Sequence, residues 1–160
     1  MAYQKILVPL DGSELAECAL PHVEAIAHGC QVGDVILLRV VEPFQPPRGK
    51  GYGSMFPEDL KEEKARAESE ERAAAEGYLK KVVGQLSREG RSVQSQVLFG
   101  KAAESVADFS AKSGIDLIVI ATHGRSGVSR WVLGSTADRI LRSSCVPVMM
   151  IRAPGCIPGI

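Results

Sequence analysis

The chain has 160 residues, which at about 100 to 200 residues per domain suits one domain, and a chain of this size buries roughly 70% of its extended surface without staples. Apolar residues make up 45% and charged residues 24%, with 19 basic side chains against 19 acidic ones; this excludes a wholly disordered or fibrous chain and, without a basic excess, argues against a general nucleic-acid binder. Aromatic residues at 5% offer no stacking platform for single-stranded bases, and no apolar run reaches the roughly 18 residues of a membrane span.

In chain order, Lys5 to Pro9 reads as an apolar strand and Ser13 to His28 as an amphipathic helix, with Ser13 as its N-cap and Leu15, Ala19, Val23 and Ile26 on one face. Gly29 and Gly33 are expected to stop that helix, and Val35 to Val41 follows as a second strand. The segment from Pro43 to Pro57 is rich in Pro and Gly, has no apolar period and reads as an exposed connection within the domain. Glu58 to Arg91 predicts a long helix, acidic at its start and basic at its end in accord with the helix dipole. Ala67, Ala74, Tyr78, Val82 and Leu86 form its expected apolar stripe, so its charges read as a solvated face; a coiled coil is the second reading. Val93 to Phe99 alternates as a strand, Ala102 to Lys112 reads as a helix ending at Gly114, and Ile115 to Ala121 reads as a buried strand. A short helix from Ser135 to Ser143 and a last strand, Val146 to Ile151, close the pattern.

Near-continuous Val, Ile and Leu strands joined by helices are what a parallel sheet covered on both faces requires. The expected fold is α/β: an open, doubly wound, five-stranded parallel sheet of Rossmann-like kind, order 3-2-1-4-5, in a single domain over residues 1–160 with a short tail at 153–160. Ligands of such sheets sit beyond the carboxyl ends of the strands, where the strand order switches. That directs attention to Pro9, Leu10 and Asp11, to Val40, Val41 and Glu42, to Phe99, Gly100 and Lys101, and to Ala121, Thr122, His123 and Gly124. Cys18, Cys30, Cys145 and Cys156 form no Cys-x-x-Cys pair and fit no zinc spacing. They read as reduced thiols, Cys18 and Cys145 as small core fillers, and with an acid interrupting the N-terminal apolar run the expected address is the cytoplasm.

The informative stretch is Ala121 to Thr136, ATHGRSGVSRWVLGST, which leaves a buried strand, passes through Gly124, Gly127 and Gly134 and enters a helix at Ser135 and Thr136. This is a phosphate-cradle layout: glycines let the backbone approach an anion, and N–H groups with a hydroxyl at a helix start satisfy its oxygens. The alternative is a loop whose glycines serve only turns. No Gly-x-x-x-x-Gly-Lys-Ser/Thr occurs, the first strand is followed by Asp11, Gly12 and Ser13 instead of Gly-x-Gly-x-x-Gly, and Ser126 lacks the frame of a nucleophile elbow.

Four stretches, KILVPLDGSELAECAL, DVILLRVVE, GKAAESVADFSAKSGIDLIVIATHGRSGVSRWVLGST and CVPVMMIR, together give the chain, across roughly Tyr3 to Arg152, a pattern that resembles the universal stress protein family. The family's ATP-binding pattern is Gly, two residues, Gly, nine residues, Gly, then Ser or Thr; Gly124, Gly134 and Ser135 match it, and Ala121 stands at its first glycine. Carried over, the resemblance implies that Pro9, Leu10 and Val40 border an adenine, Asp11 accepts from ribose hydroxyls, and Ile120 and Ala121 line the nucleoside side. It further implies that His123, Gly124, Gly134, Ser135 and Thr136 hold phosphates, with Arg125 and Gly127 in the same loop. Bland roles stand beside these: Asp11 capping the helix near Ser13, His123 hydrogen-bonded to backbone, Arg125 and Arg130 as solvated charges, Trp131 packed at a contact. Arg39 stands where the family often has histidine, and alternation points it away from Val40.

The reading favoured is an ATP-, ADP- or AMP-binding stress-response module, with or without magnesium, and with no catalytic or metal-ligating residue assigned. The alternatives are a slow ATP hydrolase, with His123 or Asp11 positioning water, and a family member that acts through protein contacts alone because Ala121 displaces the nucleotide. The flat, apolar edge strand Val146 to Ile151 predicts a homodimer paired through it, as the resemblance also implies, with neither nucleic acid nor membrane as partner.

Overall fold

A computed structural model describes residues 3–46, 57–87, 92–122 and 134–152 of the chain. The elements are β1 (Lys5–Pro9), α1 (Glu14–Glu17), α2 (Leu20–Gly29), β2 (Asp34–Val41), α3 (Pro57–Leu86), β3 (Ser92–Phe99), α4 (Ala102–Lys112), β4 (Leu117–Ala121), α5 (Ser135–Ser143) and β5 (Val148–Ile151). All four strand pairings are parallel, and the order is β3-β2-β1-β4-β5, as the sequence predicts.

Alternation along each strand sorts the core into two layers. Ile6, Val8, Val35, Leu37 and Val119 pack with α2 and the second half of α3, whereas Leu7, Ile36, Leu38, Ile118 and Ile120 pack with α4 and α5. The chain moves outward from β1 through β2 to β3, then returns to place β4 and β5 on the other side of β1. A right-handed crossover rule puts helices of the outward run on one face and those of the return on the other, and leaves a crevice between the ends of β1 and β4. Asp116 fixes the start of β1, since its carboxylate accepts from the backbone N–H of Gln4 at 2.7 Å and of Lys5 at 3.2 Å.

Several expectations are corrected. The first helix is two: α1 ends at Glu17, and α2 begins at Leu20 with Pro21 in its first turn. Pro21 has no N–H to donate to the Glu17 carbonyl one turn back, so a continuous helix would lose that bond and crowd the ring against it. Beyond α2 the left-handed residue is Gln31, with φ +53°, while Gly29 is still helical. In α3 the buried stripe is Ala75, Leu79, Val82 and Leu86; Ala74 is exposed, and Tyr78 and Ala67 are half-buried. β4 and β5 each start two residues later than expected, and Cys145 is exposed instead of filling the core. Cys18 is half-buried against the first core layer, and burial pushes its thiol above its usual pKa.

Ser13 is the N-cap of α1: its Oγ accepts from the Ala16 N–H at 3.1 Å. Ser13→Ala is expected to cost about 1 kcal/mol, read as a lower denaturant midpoint at unchanged slope. An unmoved midpoint would contradict the cap.

Candidate functional site

At the carboxyl ends of the strands lies a cavity of about 630 Å³, within the roughly 300 to 1,000 Å³ of small-molecule sites. The end of β1 contributes Pro9, Leu10 and Asp11, β2 contributes Val40, β4 contributes Ile120 and Ala121, and the start of α5 contributes Gly134, Ser135 and Thr136. These nine sequence-predicted residues, from four elements, share one cavity. His123, Gly124, Arg125 and Gly127 lie outside the described residues, as do Arg130 and Trp131.

Each end of the cavity has a local cause. Leu10 extends the β1 ladder by donating its N–H to the Leu38 carbonyl at 2.8 Å, which leaves Asp11 as the first residue beyond the sheet. The Asp11 Oδ1 then accepts from Ser13 twice, from the backbone N–H at 2.9 Å and from Oγ at 2.6 Å. Asp11 therefore orders the turn that starts α1, one step removed from the capping role considered for it, and still faces the cavity. Gly12 between them has φ +83°, a left-handed geometry that favours glycine.

At the opposite end, Thr122 is buried and bonds both ways: its N–H donates to Ile151 at 2.8 Å, and its carbonyl accepts from the Gly134 N–H at 2.8 Å. The chain that leaves β4 is thereby returned to the strand end at the first residue before α5. Gly134 is the N-cap of α5, no side chain caps that terminus, and the first helical bond runs from Asp138 N–H to the Gly134 carbonyl. The N–H groups of the first turn have no helical acceptor, so the terminus offers neutral donors and the positive end of the helix dipole to whatever fills the cavity. Gly134 has φ −50° and ψ 133°, an extended geometry open to any residue.

Val41, Glu42, Phe99 and Thr122, at strand ends to which the sequence also directs attention, line the cavity too. Ala67, Glu68 and Glu71 of α3 and Phe44 beyond β2 complete the wall without having been expected there. The Arg72 guanidinium lies 4.8 Å over the Phe99 ring and ties α3 to the end of β3. Arg39 is the one basic side chain among the described residues of the lining, and it does point away from Val40. Val40 packs in the α4–α5 layer, while the Arg39 guanidinium lies 5.6 Å over the ring of Tyr78 in the other layer. Burial first, and then the Glu17 carboxylate, push the Tyr78 phenol well above its ordinary pKa, so it is protonated at neutral pH. Among the described residues no group of three or more His, Cys, Asp or Glu side chains could hold a metal ion, and no helix is long and apolar enough to cross a membrane.

Sheet order and cleft together define the class: a doubly wound, Rossmann-like α/β protein with a cavity at the switch in strand order. The profile of the Universal stress protein family matches residues 2–152, and the chain belongs to that family. Universal stress protein MJ0531 of Methanocaldococcus jannaschii is 32% identical over 154 residues, which cover 95% of this chain and 84% of the relative. The solved structure of MJ0577 matches with a TM-score of 0.81 at 24% identity, over 97% of this chain and 99% of that one. A family member from Arabidopsis thaliana, solved with AMP bound, matches with a TM-score of 0.65 at 16% identity, over 95% and 93% of the two chains. At such identities the structural likeness speaks for the fold.

Proposed function

We propose that this chain binds an adenine nucleotide, ATP, ADP or AMP, in the cavity between β1 and β4, and acts in the cytoplasm as a stress-response binding or signalling module whose partner choice follows occupancy. The observation that carries the reading is the meeting, in one cavity, of a carboxylate at a strand end, apolar walls from β2 and β4, and an uncapped helix N-terminus. A carboxylate suits a ribose diol, the apolar walls of Val40 and Ile120 suit a base, and the start of α5 suits phosphate. The AMP-bound relative supports the ligand class. That Ala121 lines a cavity of about 630 Å³ supports a site that takes the nucleotide with alanine at the position of the first motif glycine. The free thiols of Cys18, Cys30 and Cys145 fit the cytoplasmic setting.

Thermal unfolding tests binding without any probe. At ATP one hundred times its dissociation constant, a one-site ligand stabilises the native state by about 2.7 kcal/mol, so the midpoint rises with ATP concentration. A midpoint indifferent to ATP, ADP and AMP would contradict the reading.

We further propose a homodimer paired through β5. This strand is one of the two edges of the sheet, its Met149 is 38% exposed, and Leu141 of α5 is 44% exposed. Such an edge is a template for strand pairing. Sedimentation should give twice the 17.1 kDa chain mass, and Met149→Lys should shift the protein toward monomer; a monomeric parent protein would contradict the pairing.

A further inference from the structure

Arg39 is the one charged residue within the run VILLRVV of β2. Its Nε and Nη1 are shielded from solvent. A guanidinium withdrawn from water costs several kcal/mol, of order, unless its surroundings match its charge. Those surroundings come from three other elements. The Tyr78 ring of α3 supplies a π face 5.6 Å from Cζ. The carboxylates of Asp11, at the end of β1, and Glu17, in α1, act on the same phenol as Arg39 does. The turn itself rests on the guanidinium: a Cβ built on Gly12 would stand 3.0 Å from Cζ and 3.3 Å from Nη2 of Arg39. Gly12 is favoured by its φ of +83°, and the Arg39 guanidinium packs against it.

We propose that Arg39 is a positioning residue of the cleft: its guanidinium, seated on Tyr78, braces the turn of Asp11, Gly12 and Ser13 so that the Asp11 carboxylate is presented to the sugar hydroxyls of the ligand. The proposal rests on the nucleotide reading above. The Arg39 guanidinium packs against Gly12 at the middle of the turn, and Asp11 bonds Ser13 through Oδ1 from within it. Lysine keeps the charge but has neither the planar fork nor the stacking surface.

Calorimetric titration of the parent protein, Arg39→Met and Arg39→Lys with ATP and with 2′,3′-dideoxy-ATP tests this. The parent protein should prefer ATP by about tenfold or more, the worth of a hydrogen bond to a charged group. Arg39→Met should weaken ATP by about tenfold and leave the dideoxy ligand within about twofold, so that the preference collapses, and Arg39→Lys should restore it only in part. Equal losses for both ligands would mean a general structural role or a phosphate contact, and would overturn the proposal, as would an unchanged ATP affinity. If Arg39→Met does not fold, Tyr78→Leu, which removes the seat of the guanidinium, should collapse the same preference; a retained preference overturns the proposal. A parent protein that binds both ligands equally defeats this proposal alone, whereas one that binds neither defeats the nucleotide reading itself.

Discussion

Gly134→Val is expected to abolish ATP binding while leaving the protein folded. At φ −50° and ψ 133° the backbone of Gly134 accepts a branched side chain without strain. The effect must therefore come from space and from donors, not from folding. Gly134 lines the cavity immediately before the first-turn N–H groups of Ser135, Thr136 and Ala137, and an isopropyl group there competes with a phosphate for the approach to them. Hydrogen bonds to a charged acceptor contribute about 1.5 to 3 kcal/mol each, so losing two of them removes measurable affinity. Adenosine, which has no phosphate, should bind the variant as it binds the parent protein. Calorimetry with both ligands checks the split; a folded variant with unchanged ATP affinity would remove α5 from the site.

Asp11→Ala is expected to weaken nucleotide binding by about 1.5 to 3 kcal/mol through loss of a charge-assisted bond to the ribose. The same substitution removes the acceptor of both Ser13 bonds, at 2.9 and 2.6 Å. Stability should therefore fall as well, by about 1 kcal/mol, through the turn that starts α1. Ser13→Ala separates the two effects, because it disturbs the cap and leaves the carboxylate. Nucleotide affinity retained in Asp11→Ala, at saturating folded protein, would leave Asp11 as a turn residue only.

The fold was legible because its strands are short apolar runs flanked by turn residues, and because α4 and α5 carry their boundaries in the sequence. Ala102 follows Gly100 and Lys101, and Ser135 follows Gly134. Leu15, Ala19, Val23 and Ile26 keep a helical spacing across Pro21, so the sequence pattern alone suggests one helix where the proline divides two. In α3, alanines at 73, 74 and 75 sit on neighbouring faces, so sequence could not choose which one the sheet buries; contact with the core selects Ala75. The site divides in the same way. Asp11, Val40, Ile120 and Gly134 could be named because strand ends and a helix start are local features, brought together by a topology with a known crevice. Ala67, Glu68 and Glu71 could not, because their place in the wall depends on where a long helix crosses the sheet. Arg39 did leave a signal, a charge in an apolar strand, but its seat on Tyr78 of α3 is visible only after folding.

The nucleotide reading favours a binder over a catalyst on physical grounds. The described residues at the phosphate end offer neutral N–H and hydroxyl donors, and a cradle that stabilises ground state and transition state equally tightens binding without raising the rate. Titration of the protein with a fluorescent ATP analogue, with phosphate release followed in the same sample, tests both halves together. Saturable binding that unlabelled ATP reverses, with turnover orders of magnitude below the roughly 10 per second typical of enzymes, is the predicted result. No saturable binding by the folded protein would contradict nucleotide recognition, and rapid release that His123→Ala abolishes at unchanged ATP affinity would make the protein an enzyme instead.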